Sequence, residues 1–172
     1  MQSLPHPLIP TPALLALNNA HAQELSWLEP EAFSRLVAGA FWAGQFGEAE
    51  AFLIALDQDA DYASPNFLWL RARYDRFVYV DRVVVAAQAR GRGLANRLYA
   101  DLFVAAAGAG HDRIVCEVNS DPPNPASDSF HATLGFVEVG QATLPGGQKT
   151  VRYLMRTLSP LKPCKAPAIS QT

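Results

Sequence analysis

Two stretches of the chain carry residues whose types and spacing can do chemistry. The first is Gln88-Ala89-Arg90-Gly91-Arg92-Gly93, which follows the apolar run Val83-Val84-Val85 and leads directly into Leu94-Ala95. A glycine-bearing turn that opens a helix can hold an anion. The first helical N–H groups have no intrahelical partner and sit at the positive end of the helix dipole. Gly91 and Gly93 let a ligand approach bare backbone, although glycines at such a junction also serve simply to relieve crowding. The second stretch is Ile114-Val115-Cys116-Glu117-Val118-Asn119, where one carboxylate interrupts an apolar run. A glutamate there is costly unless it is paired or faces a cleft.

The elements that must position these residues follow from periodicity. Val83 to Val85 are β-branched and apolar without alternation, which predicts a strand covered on both faces, running from Phe77 to Ala86. After Gly93, Leu94, Leu98, Leu102 and Ala106 recur every fourth position, so a helix is expected from Gly91 to about Ala107, stopped by Gly108 and Gly110. Arg113 to Asn119 reads as the next strand. Strand, helix and strand in close succession predict parallel neighbours joined by a right-handed crossover. The glycine turn then lies beyond the carboxyl end of a parallel strand, where ligands of α/β sheets bind. Asn119 and Ser120 fall where the two strands part and offer hydrogen bonds there.

Upstream, the proline-rich Met1 to Pro12 should be extended and can lend a short edge strand. Thr11 and Pro12 start a helix with Leu14, Leu15, Leu17 and Leu25 on its apolar side, and Pro30 starts a second, short one with Phe33, Leu36 and Val37 inward. Ala40 to Phe46 and Glu50 to Asp57 predict an antiparallel hairpin around Gly47-Glu48. Asp57 to Pro65 is a polar loop. Asn66 to Tyr74 reads either as a further strand or as an aromatic lid over a pocket. Downstream, Asn124 or Ser127 caps a helix with Pro125 at its first position, and Gly135 fits its left-handed end with Phe136 folding back. Phe136 to Gln141 and Lys149 to Thr157 are the closing strands, joined by a Leu-Pro-Gly-Gly turn.

The chain has 172 residues, 49% hydrophobic and 17% charged, with a formal net charge of -2. This predicts one globular domain over residues 1–158 and a loose tail over 159–172. No basic field favours nucleic acid. The start of the chain has no signal-peptide pattern, and no apolar run approaches the roughly 20 residues that span a bilayer, so the expected protein is soluble and cytoplasmic. Cys116, in a core strand, and Cys164, in the tail, make a poor disulfide pair.

The order of elements, the turn from Gln88 to Ala95, and the downstream Ser127-Asp128-Ser129-Phe130-His131-Ala132-Thr133-Leu134-Gly135-Phe136 together resemble the GNAT N-acetyltransferase superfamily across about residues 12–158. The resemblance implies an α/β (α+β) fold. Its mixed central sheet has antiparallel N-terminal strands, then a parallel pair around the cofactor site, with helices on the flanks. It implies acetyl-CoA as cofactor, its pyrophosphate on the backbone amides of Gln88, Arg90, Gly91, Arg92, Gly93, Leu94 and Ala95. It further implies that the pantetheine arm pairs with the strand Val83-Val84-Val85, chiefly through the main chain at Val83 and Val85, and that Asn119, Ser127, Phe130 and His131 complete the cofactor side. Arg90 and Arg92 are either solvated or in contact with phosphates.

One position departs from the family. Many members carry a tyrosine three residues before the Leu-Gly-Phe leucine, and here that residue is His131, as in relatives resembling phosphinothricin acetyltransferase. An imidazole can donate a proton to the leaving thiolate near neutral pH; the alternative is a helix-surface histidine. Two carboxylates are candidate bases for the amine. Asp81 shares a strand face with Phe77 and Tyr79 by alternation, unless it is paired with Arg82 or Arg76. Glu117 is the other. Trp42, Trp69 and Tyr74 either line the acceptor site or belong to the core.

The resulting expectation is an acetyl-CoA-dependent N-acetyltransferase. It acts on a primary amine of a small molecule or peptide by direct attack in a ternary complex, with Cys116 as packing rather than nucleophile. Dimerisation stays open. One rival is a non-catalytic acyl-CoA sensor, motivated by the missing tyrosine. Another is a nucleotide-dependent oxidoreductase, whose fingerprint fails at Asn96, where a third glycine belongs.

Overall fold

A computed structural model describes residues 4–159; of the tail expected over 159–172, residues 160–172, Cys164 among them, lie outside the described residues. One seven-stranded sheet organises the described chain. Its strands are β1 (His6–Pro7), β2 (Trp42–Phe46), β3 (Ala51–Asp57), β4 (Val78–Val85), β5 (Arg113–Asp121), β6 (Val137–Thr143) and β7 (Thr150–Thr157). Their spatial order is β1-β2-β3-β4-β5-β7-β6. Every neighbouring pair is antiparallel except β4 and β5. The mixed α/β sheet anticipated from the pattern is therefore present, with its one parallel pair at the centre.

Helices cover both faces. α1 (Pro12–Ala20), α2 (Pro30–Ala38) and α3 (Pro65–Arg71) pack on one side, where Leu14, Phe33 and Phe67 join Phe52, Ile54, Tyr79 and Val115 in a buried cluster. α4 (Leu94–Gly108) and α5 (Pro125–Thr133) take the other, where Leu94, Leu98, Tyr99 and Leu102 meet Leu53, Val78, Ile114 and Cys116. Alternate residues of β3 go to opposite faces, as a two-residue strand period requires. Caps define the helix starts. Thr11 Oγ1 accepts from Leu14 N at 3.2 Å, Ser64 Oγ from Phe67 N at 3.2 Å, and Asn124 Oδ1 from Ser127 N at 3.2 Å.

Three expectations are corrected. Asn66 to Tyr74 is neither strand nor lid; it lies largely within α3, because the Ser64 cap and Pro65 start a helix whose Phe67 and Leu70 are both buried. Leu25 lies outside α1, which stops at Ala20. Asn18 and Asn19 turn their amides onto the Ser26 and Leu28 carbonyls and hold the following loop. α4 begins at Leu94 rather than Gly91, after a 3-10 turn at Ala87–Ala89.

Two departures from regular pairing create the cleft. Ile54 pairs with Arg82 while Ala55 pairs with Val80, so Asp81 is the extra residue of a β-bulge. Strict alternation would place Val83 and Val85 on the face of Tyr79. The bulge shifts the parity, sending Val84 to that face and Val83 and Val85 toward α4. In addition, β4 and β5 pair only at Val78–Ile114 and Tyr79–Val115 and then separate. They part earlier than Asn119 and Ser120, so the gap is deeper than the pattern implied.

Candidate active site

The splayed strands open into a cavity of about 700 Å³. Its walls include Val83, Val84, Val85, Arg90, Ala95, Asn119, Ser127, Phe130 and His131 among the residues expected at the cofactor, and Asp81 and Glu117 among the expected carboxylates. Gln88, Gly91, Arg92, Gly93 and Leu94 are not on the wall. Gln88 is exposed, Leu94 is buried in the α4 core, and Arg92 turns away to an exposed ion pair with Glu50 at 2.7 Å. The backbone of the turn still flanks the cavity between Arg90 and Ala95. Gly91 and Gly93 have φ of 75° and 71°, a left-handed conformation that favours glycine. A Cβ on either would meet nothing within 4 Å, so the turn is open on its outer side. Among the described residues no side chain caps α4, so its first N–H groups lack a side-chain partner there. The uncapped N-terminus and the bare glycine turn fit a phosphate group.

Glu117 extends from β5 onto the α3 side of the cleft. Its Oε1 accepts from Asn66 Nδ2 at 2.9 Å and from the Tyr79 hydroxyl at 3.1 Å, while its Oε2 is shielded from solvent and has no partner among the described residues. Burial pushes its pKa up to about 8, helped by repulsion from Asp81 and opposed by the hydrogen bonds from Tyr79 and Asn66. Both explanations considered for this glutamate thus hold: it is paired and it faces a cleft. Asn66 is itself oriented, because the Tyr153 hydroxyl donates to its Oδ1 at 3.0 Å.

Asp81, the bulge residue, is held from two sides. The Tyr62 hydroxyl donates to its Oδ1 at 2.6 Å and Arg82 Nε to its Oδ2 at 2.6 Å, with both side chains of the ion pair nearly inaccessible. Arg82 also donates to Asn18 at 2.7 Å, tying the bulge to α1. Asp81 is thus occupied by the Arg82 partner weighed against its catalytic reading. Trp42, Trp69 and Tyr74 do not line the cavity. Trp69 stacks instead on Tyr153, ring centroids 3.8 Å apart and planes 13° from parallel.

On the α4 side, His131 is buried rather than on a helix surface, at 3% exposure. Its Nδ1 lies 2.8 Å from the Ser127 carbonyl and its Nε2 lies 2.8 Å from the Tyr99 hydroxyl. Burial lowers its pKa, against the pull of the Ser127 carbonyl and Asp128. Tyr99 was not among the residues expected at the site. Its signal was a phenol on the inward face of an apolar helix, since a buried hydroxyl must find a partner. Asn66 and Tyr62 gave no sign of their roles, because their partners lie far off in the chain. Cys116 is buried on the same side, with its thiol pushed up by burial, which suits packing.

The fold resembles several solved structures, N-acetyltransferases among them. The ribosomal-protein-S18-alanine N-acetyltransferase of Escherichia coli superposes with a TM-score of 0.62 at 15% identity, over 92% of this chain and 96% of that one. The ribosomal-protein-alanine N-acetyltransferase of Brucella melitensis gives 0.65 at 19% identity, over 91% and 100%. Ard1 of Thermoplasma volcanium gives 0.68 at 11%, over 90% and 97%. No curated protein sequence matches the chain significantly. A family model does match, over residues 17–136, and with it the chain belongs to the acetyltransferase (GNAT) family.

Proposed function

We propose that the protein transfers the acetyl group of acetyl-CoA to a primary amine of a small molecule or peptide, by direct attack with donor and acceptor bound together. The observation that carries this is Glu117, whose Oε2 has no partner and whose pKa of about 8 suits proton removal from an amine. Acetyl-CoA supplies the activated acyl group. The backbone from Arg90 to Ala95 would hold its phosphates and the β4 segment Val83–Val85 its amide-rich arm, the latter by strand-like pairing. Asn66 and Tyr79 keep Oε1 occupied, so Oε2 is the atom left to meet the acceptor nitrogen. Asp81, both of its oxygens engaged by Tyr62 and Arg82, is the weaker candidate for base.

Likeness to alanine N-acetyltransferases puts peptides with N-terminal alanine in the acceptor panel, and likeness to a phosphinothricin N-acetyltransferase adds free amino acids. The test is calorimetry with acetyl-CoA followed by thiol release across that panel. Saturable binding with amine-dependent thiol release is expected. Absence of binding would sink the reading, and binding without turnover on a broad panel would favour the acyl-CoA sensor.

A further inference from the structure

His131 has no ring nitrogen left for a ligand. The Ser127 carbonyl beside Nδ1 can only accept, so Nδ1 carries the proton and donates. Nε2 is then a bare acceptor, and the Tyr99 hydroxyl 2.8 Å away donates to it. Phe130 and Phe136 pack edge-on against the imidazole at 5.3 Å each, which fixes the ring in place. Tyr99 and His131 both lie on the cavity wall, on the opposite side of the sheet from Glu117. The Tyr99 oxygen uses its proton toward His131 and keeps its remaining capacity free.

We infer that the Tyr99 hydroxyl, rather than the His131 ring, donates the proton to the sulfur of the acyl donor, and that His131 is the positioning residue that recharges Tyr99; this rests on the acetyltransferase reading above. In the charged state His131 is an imidazolium. Nδ1–H still donates to the Ser127 carbonyl, Nε2–H donates to the Tyr99 oxygen, and the Tyr99 O–H turns toward the sulfur. As the acceptor nitrogen bonds to the acyl carbon, the carbon–sulfur bond breaks and its electron pair stays on sulfur. Sulfur takes the Tyr99 proton and the Tyr99 oxygen takes the Nε2 proton. What remains is a neutral pair in the hydrogen-bond pattern that the structure shows. The proton shed by the nitrogen goes to Glu117 Oε2 and then to water, and water recharges His131 after product release. Burial outweighs the Ser127 carbonyl and Asp128 and makes the imidazolium the minor form at neutral pH.

The test compares calorimetric affinities for CoA and for desulfo-CoA, in which hydrogen replaces the thiol. Both affinities are measured at a pH above the pKa of the free CoA thiol, where the ligand is largely thiolate. Tyr99→Phe should weaken CoA binding about threefold to tenfold and leave desulfo-CoA unchanged, the size expected for one lost hydrogen bond. His131→Gln, which keeps a partner for Tyr99, should retain most of the difference. Equal weakening of both ligands by Tyr99→Phe, or no weakening of either, would overturn the inference. So would a selective loss in His131→Phe without one in Tyr99→Phe. A wild type that binds neither ligand overturns the coenzyme reading and this inference with it. Should Tyr99→Phe fold poorly, ultraviolet titration of CoA bound to the wild type decides: the bound thiol should ionise below the pH of free CoA, and an unchanged titration refutes the donor.

Discussion

At Glu117 one carboxylate oxygen takes both hydrogen bonds and the other takes none. This asymmetry leaves one oxygen for the role of base that the proposed function gives it, and it yields a prediction at the level of the side chain. Glu117→Gln should lower kcat by about 10²–10⁴, the usual contribution of a general base. The wild-type pH–rate profile should carry the ionisation of Glu117 at about 8, and that dependence should disappear in Glu117→Gln. A pH–rate profile that keeps it would move the base elsewhere. His131 illustrates the limit of reading one residue at a time. Its position was legible from the Leu-Gly-Phe signature, but its availability was not, because both partners of the ring are set by α4 and by the turn geometry of α5.

At the scale of elements, α3 and β4 decide the site. α3 carries Asn66 to Glu117, and its own placement depends on Trp69, sandwiched between Tyr153 and the Arg73 guanidinium at 3.6 Å. Gly140 on β6 makes room for that indole: a Cβ there would lie 2.6 Å from Trp69. Gly140→Ala should therefore cost about 1–3 kcal/mol by urea denaturation, as overpacking does, and lower kcat by displacing Asn66. A stability loss with kcat untouched would separate Trp69 from the site. Gly93→Ala tests the turn. With φ at 71° and open space around it, strain of about 1–2 kcal/mol is the expected stability cost, together with weaker acetyl-CoA binding. The bulge at Asp81 was not legible in Val-Tyr-Val-Asp-Arg-Val-Val-Val, since alternation predicts the same face for Tyr79, Asp81 and Val83. The pairing partner β3, not β4 itself, shows the extra residue.

For the whole molecule, the consequence is a sheet with a slot through its centre. Glu117 reaches the slot from the α3 side, and Tyr99 and His131 reach it from the α4 side. A ligand that fills it should stabilise both layers at once. Acetyl-CoA at 100 times its dissociation constant should add about 2.7 kcal/mol, or about 5–10 °C in Tm for a chain of this size. A thermal-shift assay reads this directly. The raised pKa of Glu117 also gives the protein a pH signature. Relative to an unfolded glutamate near 4.5, the folded state holds its proton more tightly up to about 8. Its stabilising effect is complete below the unfolded value and is lost as pH rises through the folded one. The wild-type Tm should therefore fall relative to that of Glu117→Gln between pH 5 and pH 8, as followed by calorimetric melting.

The sequence by itself determined the order of the elements apart from α3, the glycine turn that opens α4 and the helix that ends in Leu-Gly-Phe. These rest on local rules: apolar period, caps, and glycines at positive φ. It also marked Glu117 as a residue in need of explanation, because a charge in an apolar strand is costly in any fold that buries the strand. Only the tertiary structure decided which groups face one another. Asn66 meets Glu117 across 51 residues and Tyr99 meets His131 across 32, contacts that no local period encodes. The depth of the slot was likewise decided in three dimensions. It depends on where β4 and β5 stop pairing and on a bulge defined against β3, and both are properties of the sheet rather than of any one strand.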